Sequence, residues 1–362
     1  MTAEATTTAT TSAIAPAIRV RHLWHRFGRF DVLRDVSFDV MPGEIFGFIG
    51  PNGAGKTTTI RVMATLLDPL AGRVEIDGHD VTVDPQKVRT IIGYMPDHAG
   101  VYERVTVREY LEFFADAYRV PTAGTTYAVV DAVMELTDLT KLAQKLVATM
   151  SKGMKQRLQL ARTLLHDPKV LILDEPASDL DPRARIEIRD LLLELRDMGK
   201  TIFLSSHILT ELADVCTSVA ILEKGQLIVA GPIHDIARQL EMHARAHPNE
   251  RMPPQPLSAR SSRPPDAPGA PVAAPAQPTR SVKLKVLAPP DAVATVLTGV
   301  PWVARVTPAP GGIAIVTYVG DERAVAEIVR LIVMAGIPLA GVEPERNELE
   351  RIFLEVTRGE VQ

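Results

Sequence analysis

Short apolar runs alternating with helical patterns dominate the larger, N-terminal part of the chain. Val36, Phe38 and Val40 alternate with polar residues, which predicts a strand with one buried face. Consecutive apolar residues elsewhere are typical of strands covered on both faces. Such runs lie at residues 45–49, 91–95, 170–173, 201–204 and 219–222. Because helical patterns separate several of these runs, the sequence predicts an α/β body.

The stretch from residue 106 to residue 166 has a different pattern. Its apolar residues recur with helical spacing, and it contains no convincing strand. The pattern therefore predicts a helical lobe that interrupts the α/β body.

The last part of the chain predicts a second, smaller unit. Val282, Leu284 and Val286 alternate with polar residues, as in a half-buried strand. The elements predicted after it are a helix at 291–297, strands at 303–307 and 313–318, a helix at 322–334, a strand at 338–342 and a last helix at 347–356. The order βαββαβ is typical of a ferredoxin-like α+β domain.

Two segments lack the pattern of a folded core. Residues 1–17 are rich in Thr and Ala and predict a disordered tail, without the basic flank and apolar run of a signal peptide. Residues 248–278 hold ten of the 28 prolines and show no hydrophobic periodicity, which predicts an interdomain linker. We therefore expect a body at 18–240, a linker at 241–280 and an accessory domain at 281–362.

Composition narrows the classes of function. The formal net charge is −4 and the arginines after residue 245 are sparse, so nucleic acid is not an expected partner. Cys216 is the only cysteine, which excludes an intramolecular disulfide and a cysteine-rich zinc site. The apolar run at 331–342 is shorter than the roughly 18 residues needed to cross a bilayer. Any work at a membrane is therefore expected to need a partner.

A glycine-rich segment joins the apolar run at 45–49 to a helical pattern that starts at Thr58. It consists of Gly50, Pro51, Asn52, Gly53, Ala54, Gly55, Lys56 and Thr57. This order fits a phosphate loop in its expected setting, whereas the alternative is a glycine-rich turn with an incidental lysine. Backbone N–H groups and the helix N-terminus would hold the phosphates, with Thr58 also in contact. Lys56 is expected to neutralise phosphate charge, and the Thr57 hydroxyl to bind Mg²⁺.

Two carboxylates come directly after the apolar run at 170–173. Burying charge at such a place is costly unless the charges meet a metal or a reacting group. Asp174 suits Mg²⁺, and Glu175 suits the general base that activates the attacking water. The alternative is a pair of acidic residues that favour the start of the next helix. The phosphate loop upstream favours the catalytic interpretation.

At this point the sequence resembles the nucleotide-binding subunits of ABC transporters, over about residues 18–237. Residues 151–157 read SKGMKQR, and the acidic pair follows at the distance usual for the family's signature motif. The resemblance implies the ABC cassette of the P-loop NTPases, with a mixed sheet core, a helical lobe and, in this chain, a small C-terminal α+β domain. It also implies an ATPase that uses ATP and Mg²⁺.

The resemblance assigns further residues in order along the chain. Phe27 corresponds to the aromatic ring that stacks on adenine, and His207 to the histidine that contacts the γ-phosphate. Ser151 and Gly153 of one subunit are expected to close over ATP held by the other, and Asp181 lies in the loop that reaches across this dimer. Phe27 could instead be a core aromatic, and His207 a plain residue at a helix start.

Three positions depart from the family pattern. Lys152 replaces the usual second glycine of the signature, Lys155 replaces its glutamine, and Asp97 occupies the position of a metal-contacting glutamine. Similar variants are found in the branch that exports drugs and polysaccharides. An aspartate can still hold Mg²⁺ or its water, so Asp97 remains an expected metal ligand.

The function implied is an ATP-hydrolysing subunit of a membrane exporter, working through a separate permease chain. We expect a homodimer, or a pair with a second ATPase subunit, at the inner face of the cell membrane and otherwise cytoplasmic. Residues 349–357 resemble the final helix of ATPases that serve two-component exporters, although a plain amphipathic helix packing on its own sheet has the same pattern.

Two other hypotheses remain open on the sequence. A soluble ABC ATPase acting on ribosomes or DNA is disfavoured because the chain has one phosphate loop, one signature, and only the 94 residues from Thr58 to Ser151 between them. A degenerate regulator that binds ATP without hydrolysing it is suggested by the three departures. Glu175 and His207 argue against that regulator.

Overall fold

The computed structural model describes residues 14–97, 100–120, 127–208, 212, 215–246, 279–309, 311–320, 322–344, 349 and 352. Residues 247–278 of the linker predicted at 241–280, most of the predicted N-terminal tail and most of the predicted helix at 347–356 lie outside these residues. Residues 241–246 of the predicted linker end a helix, and residues 279–280 begin a strand. The described chain forms two compact units, one of residues up to 246 together with 349 and 352, and one of residues 279–344.

The first unit is built from ten strands and six long helices within the described residues. Its strands are β1 (Ile18–Phe27), β2 (Phe30–Val40), β3 (Ile45–Ile49), β4 (Ala71–Ile76), β5 (His79–Asp80), β6 (Ile92–Met95), β7 (Val170–Leu173), β8 (Thr201–Ser206), β9 (Ser218–Glu223) and β10 (Gln226–Pro232). The six longer helices and one shorter helix, α2, are numbered together in chain order. They are α1 (Lys56–Met63), α2 (Pro85–Ile91), α3 (Val107–Ala117), α4 (Ala128–Leu136), α5 (Lys152–Leu164), α6 (Pro182–Asp197) and α7 (Ile233–Ala246).

The strands form two sheets. One has the order β2-β1-β4-β5 and is antiparallel, and the other has the order β10-β9-β3-β8-β7-β6. In the second sheet β9, β3, β8, β7 and β6 are parallel, and β10 joins at the edge in the antiparallel direction. The mixed α/β core expected from the sequence is confirmed.

Strand β3 shows why the apolar runs lack alternation. All five of its residues are buried. Ile45 and Ile49 point into one hydrophobic cluster, on the side of the helices, and Phe46 and Phe48 into a second cluster between the sheets. Phe46 stacks on Phe203 with ring centroids 5.7 Å apart. A strand covered on both faces must be apolar at successive positions, as the sequence pattern indicated.

The predicted helical lobe is present and interrupts the body between β6 and β7. It contains α3, α4, α5 and two single 3₁₀ turns, Thr140–Leu142 and Val147–Thr149. Helix α3 begins in a capping box: the Thr106 hydroxyl accepts from the Glu109 N–H, and the Glu109 carboxylate accepts from the Thr106 N–H at 2.7 Å. Within the described part of this lobe, β-type pairing is limited to one isolated bridge, between Thr106 and Leu146.

The second unit has the predicted order of elements. It contains β11 (Thr279–Val286), α8 (Asp291–Leu297), β12 (Val303–Ala309), β13 (Ile313–Val319), α9 (Glu322–Met334) and β14 (Leu339–Pro344). Its antiparallel sheet has the order β12-β13-β11-β14. This is the ferredoxin-like arrangement expected from βαββαβ, with the alternating residues Val282, Leu284 and Val286 buried.

Leu349 and Ile352 change the expected boundary of the accessory domain. The prediction placed residues up to 362 in that domain. Both side chains are fully buried, and they belong to the same hydrophobic cluster as Leu192 and Leu212 of the first unit. These two residues therefore pack on the body, and residues 279–344 form a unit whose chain leaves the body and returns to it.

Among the described helices, none is both long and apolar enough to cross a membrane.

Candidate functional site

The loop between β3 and α1 is shaped by its glycines. Gly53 and Gly55 have φ of 79° and 109°, in the left-handed region that side chains disfavour. A Cβ on Gly50 would lie 2.3 Å from the carbonyl oxygen of Leu222, and one on Gly55 would lie 2.6 Å from Leu33. Backbone conformation at Gly53 and Gly55, and packing against the rest of the chain at Gly50 and Gly55, therefore require glycine in this loop. Its binding of phosphates stays a prediction.

Lys56 is the first residue of α1 and lies in this loop. Its ammonium donates to the carbonyl oxygens of Gly50 at 2.8 Å and Pro51 at 3.4 Å. The side chain is only 6% exposed, and Nζ lies 3.3 Å from Glu175 Oε1. The helix N-terminus behind it presents N–H groups without intrahelical partners. The loop therefore combines a cation and backbone donors at one point, which suits an anion.

Asp174 lies at the end of β7 and is 1% exposed. The Ser205 hydroxyl on β8 donates to its Oδ1 at 2.6 Å, and the Thr57 hydroxyl also hydrogen-bonds to the carboxylate. Burial raises the pKa of the Asp174 carboxyl, and these hydrogen bonds lower it in part. The negative charge of Asp97 raises this pKa further. Asp174 thus lies within reach of Thr57, as expected for two ligands of one metal.

Glu175 lies between two nitrogen-bearing side chains. His207 Nδ1 is 2.8 Å from its Oε2, and Lys56 Nζ approaches its other oxygen. The Glu175 backbone has φ of 49°, which is uncommon for a non-glycine residue and is typical of functional sites. Its N–H donates to the Ser205 hydroxyl at 3.0 Å. The three residues predicted to be catalytic are thus brought together.

Ser205 is a site residue that the sequence analysis missed. Its hydroxyl accepts from the Glu175 N–H and donates to the Asp174 carboxylate, so it links the two acidic residues from the neighbouring strand. The only signal in the sequence was a serine at the carboxyl end of a predicted strand. Its partners are about thirty residues upstream, and no local pattern connects them.

A cleft of about 580 Å³ runs through this site. Its walls combine the loop residues Pro51, Asn52, Gly53, Gly55, Lys56, Thr57 and Thr58 with Phe27, Phe30, Val32, Asp97, Glu175, Ser178, Asp179 and His207. These walls carry two aromatic side chains, Phe27 and Phe30, as well as the charged groups. Such a cleft suits a ligand with an apolar ring at one end and phosphates at the other.

Comparison with known proteins gives the family. The ABC transporter domain family matches residues 33–178. An uncharacterised ABC transporter ATP-binding protein of Bacillus subtilis is 45% identical over 54% of this chain and 64% of its own length. A Nod factor export ATP-binding protein of Burkholderia lata is 38% identical over 61% of this chain and 72% of its own length. This chain belongs to the ABC transporter ATP-binding family.

The fold of this ABC protein agrees with that assignment. A solved structure of an ATP-binding subunit of an ABC transporter is 33% identical, with a TM-score of 0.56, and the match covers 62% of this chain and 94% of that one. The Bacillus subtilis relative is matched over slightly less than two thirds of its length. The family binds and hydrolyses ATP, and the resemblance drawn from the sequence motifs is confirmed.

The signature segment of this ABC protein forms the start of α5. The Ser151 hydroxyl caps the helix by accepting from the Met154 N–H at 3.3 Å. A Cβ on Gly153 would lie 2.8 Å from the Cβ of Ala184 on α6. The glycine therefore has a packing role within the chain, in addition to the role that the resemblance implies.

The two unusual lysines of the signature have acidic partners in the same chain. Lys152 Nζ lies 2.9 Å from Asp179 Oδ2, and Lys155 Nζ lies 3.3 Å from Glu103 Oε1. Exposed pairs of this kind contribute only about 0–1 kcal/mol to stability. The main effect of these pairs is on the local charge, because the positive charge of each lysine lies opposite the negative charge of its acidic partner.

Five of the predicted nucleotide-binding residues are not among the walls of the cleft in this chain. Two of them, Gly50 and Ala54, are buried within the phosphate loop, and the other three lie elsewhere. Ser151 and Gly153 are at the start of α5. The Asp181 side chain caps α6 by accepting from the N–H groups of Arg183 and Ala184, both at 3.0 Å. That these three residues act on a nucleotide held by a second subunit stays a prediction.

The ligands expected for Mg²⁺ fit that ion in chemical type. Thr57, Asp97 and Asp174 offer one hydroxyl and two carboxylates, and oxygen is the ligand that Mg²⁺ prefers. No cluster of three or more His, Cys, Asp or Glu side chains arranged for a metal occurs in the part of the chain that is described. Mg²⁺ typically uses one or two protein ligands together with substrate phosphates, so a complete protein cage is not required.

Proposed function

We propose that this chain is the ATP-hydrolysing subunit of an exporter that works with a separate transmembrane subunit. The observation that carries the proposal is the convergence of Lys56, Glu175 and His207 at the charged end of the cleft. The name of the Burkholderia lata relative, a Nod factor export protein, supports export as the direction of transport.

Each group in the cleft has a distinct role in this proposal. The loop N–H groups and Lys56 hold the phosphates, and Glu175 accepts a proton from the attacking water. His207 contacts the γ-phosphate and orients Glu175 through their 2.8 Å contact. Thr57, Asp174 and Asp97 would hold Mg²⁺, which when bound would supply charge neutralisation at the phosphates. Ser205 keeps the two acidic side chains in place.

The active form in this proposal is a head-to-tail dimer, formed with a second copy or with a related ATPase subunit. The Ser151 hydroxyl and the N-terminus of α5 face the γ-phosphate held by the partner, where the helix dipole favours negative charge. ATP then joins the two subunits, and hydrolysis releases them. Two clefts closed at one interface explain why Ser151, Gly153 and Asp181 lie outside the cleft of their own chain.

Gly153 offers a test of this dimer. Gly153→Ala should lower stability by about 1–3 kcal/mol, because the new methyl overlaps Ala184. Adding Ala184→Gly removes the overlap, and the helix propensities of the two changes cancel. Thermal unfolding of the double variant should return towards that of the parent protein. ATP hydrolysis should remain low, because the proposed dimer needs the close backbone approach to the partner's nucleotide that glycine permits at position 153.

Recovery of hydrolysis together with stability in the double variant would show that Gly153 serves only the packing of α5 on α6. Ala184→Gly alone is the matched control. It should lower stability by about 1 kcal/mol, as for a glycine in a helix, and leave turnover per folded molecule near that of the parent.

An aromatic patch on the helical lobe is the proposed contact for the transmembrane subunit. Tyr102, Phe113 and Tyr118 are 60%, 53% and 42% exposed, and Tyr102 packs edge-on against Phe113 with centroids 5.6 Å apart. Clustered exposed aromatic side chains mark protein interaction sites. The patch follows closely after Asp97, so closure of the cleft can be transmitted to it. Through this contact the chain would lie at the inner face of the cell membrane.

The experiment that tests the proposed function measures Mg²⁺-dependent ATP hydrolysis by the purified protein. Detergent-solubilised membranes from its source are added or withheld, and Lys56→Ala is compared with the parent. We expect hydrolysis to be lost in Lys56→Ala, and to rise with membranes in the parent but less in a Tyr102→Ala/Tyr118→Ala variant. ATP binding without turnover under all conditions would instead support a regulatory protein. Turnover without any response to membranes would support a soluble ATPase.

A further inference from the structure

A second cavity, of about 290 Å³, lies beside α6 in the first unit. Among the described residues, it shares no lining side chain with the nucleotide cleft. Its walls come from α6, from the end of β8 and from the chain that follows His207. Five of its apolar lining residues are at most 4% exposed: Ile188, Leu192, Leu204, Leu212 and Val215. Protein interiors are close-packed, so an apolar cavity near the size of small-molecule sites, about 300–1,000 Å³, indicates a ligand.

Arg185 and Arg189 bring positive charge to this cavity. They are four residues apart on α6, so their side chains lie on one face of the helix, and both line the cavity. No acidic side chain is among the described residues that line it. Arg189 also pairs with Asp190 at 2.9 Å, but these side chains are 39% and 59% exposed, and such surface pairs are weak. Apolar walls beside two guanidinium groups complement an amphipathic anion.

The cavity also reaches the two chain segments that carry proposed catalytic residues. Pro176 lines the cavity and directly follows Glu175, and Ser206 lines it and directly precedes His207. The Pro176 carbonyl oxygen accepts from Gln156 Nε2 on α5 at 2.8 Å, so this segment is also tied to the helical lobe. A molecule in the cavity would contact both segments without entering the nucleotide cleft.

We propose that this cavity binds a small amphipathic carboxylate and that its binding slows ATP hydrolysis. The carboxylate pairs with Arg185 and Arg189, because a planar guanidinium group can donate two parallel hydrogen bonds to it. The apolar part of the ligand fills the space between α6 and Leu212. The binding site itself is independent of the proposed function, whereas the effect on hydrolysis rests on it.

The effect on hydrolysis follows from the contacts of Pro176 and Ser206. Glu175 Oε2 and His207 Nδ1 lie 2.8 Å apart, and this distance depends on the spacing of the backbone segments that carry them. A ligand held against Pro176 and Ser206 restrains that spacing, so the catalytic pair adjusts less when ATP binds. We expect a lower kcat. KM for ATP should change much less, because the phosphate loop does not line this cavity.

The test of the site measures binding to the full chain by calorimetry, with octanoate, octanol and octylamine as probes. The three probes have the same alkyl chain and differ in charge. Octanoate should bind with a Kd of about 1 mM or below. Octanol and octylamine should bind at least about tenfold more weakly, because they lack the charge-assisted hydrogen bonds to the two arginines.

Two double variants and a control assign the binding to this cavity. Arg185→Gln/Arg189→Gln should raise Kd for octanoate by about tenfold or more and leave that for octanol unchanged. Arg185→Glu/Arg189→Glu should reverse the preference, so that octylamine binds more tightly than octanoate; a misfolded variant would bind neither. Arg183→Gln is the matched control, because Arg183 is on the same helix, is 90% exposed and does not line the cavity. It should leave Kd for octanoate unchanged.

ATP hydrolysis at saturating octanoate is the second measurement. The kcat of the parent protein should fall severalfold, and that of Arg185→Gln/Arg189→Gln should stay the same at this octanoate concentration. Absence of octanoate binding to the parent, or equal binding to the parent and to Arg185→Gln/Arg189→Gln, would overturn the site.

The remaining outcomes separate the site from its effect. Binding that depends on Arg185 and Arg189 with an unchanged kcat would overturn the effect on hydrolysis and support the site. A parent protein that hydrolyses no ATP, with or without octanoate, would overturn the proposed function, and the binding measurements would still decide whether the cavity takes a carboxylate.

Discussion

Replacing Glu175 with Gln should lower the rate of ATP hydrolysis by about 10²- to 10⁴-fold while ATP binding is preserved. The amide has the same size and can keep the contact with His207, but it cannot accept a proton from water. The expected product is a dimer that stays closed around ATP. Phosphate release measures the rate, and light scattering with and without ATP measures the dimer.

Glu194→Gln is the matched control for this change, since Glu194 is an exposed residue of α6. It should leave both the rate and the ATP-dependent association unchanged. Hydrolysis at the parent rate in Glu175→Gln would contradict the assignment of Glu175 as the base. It would then leave His207, which lies 2.8 Å away, as the group to examine.

Replacing Asp174 with Asn should stabilise the unliganded protein and abolish its function. Burial raises the pKa of this carboxyl, so the ionised form is unfavourable in the folded state. An amide removes the buried charge and can still accept from Ser205. We expect a gain of about 0.5–2 kcal/mol in the free energy of unfolding at neutral pH. Mg²⁺-dependent hydrolysis should fall by at least about 100-fold, because a bound metal contributes several kcal/mol.

The pH dependence of this gain has a definite sign. A carboxyl whose pKa is higher in the folded than in the unfolded protein destabilises the fold once the pH rises above the unfolded value of 3.8. The advantage of Asn should therefore be full at neutral pH and should disappear as the pH falls towards that value. Chemical denaturation at several pH values, without nucleotide or Mg²⁺, measures it.

Asp190→Asn provides the control, because Asp190 is exposed on α6 and forms a surface ion pair with Arg189. It should alter stability by less than about 0.5 kcal/mol and leave hydrolysis unchanged. A loss of stability in Asp174→Asn would mean that the hydrogen bonds from Ser205 and Thr57 outweigh the cost of burying the charge.

The departures from the usual signature do not remove the features that hydrolysis needs. Lys152 and Lys155 are each matched by an acidic side chain, and Asp97 adds a carboxylate near Asp174. The added negative charge makes the site more dependent on a cation. Activity with a stronger requirement for Mg²⁺ is the expected consequence of Asp97.

Patterns confined to a few neighbouring residues gave reliable predictions. The buried strands β3 and β7, the phosphate loop after β3 and the ferredoxin-like order of the second unit were all read from the sequence. Strand β1 was missed, since Arg19, Arg21 and Arg26 are scattered among its apolar residues and its pairing with β2 shifts register three times. Such irregularities disturb the period-two pattern on which strand prediction depends.

Contacts between distant parts of the chain could not be predicted. Ser205 meets Asp174 and Glu175, Lys152 meets Asp179, and Leu349 is buried in the body rather than in the unit that precedes it. Periodicity and turn-forming residues are visible within a few neighbouring positions of the sequence. These local patterns were sufficient to predict the fold class and the phosphate loop. Which side chains meet across strands and helices depends on how those elements pack, because packing brings together residues that share no local pattern.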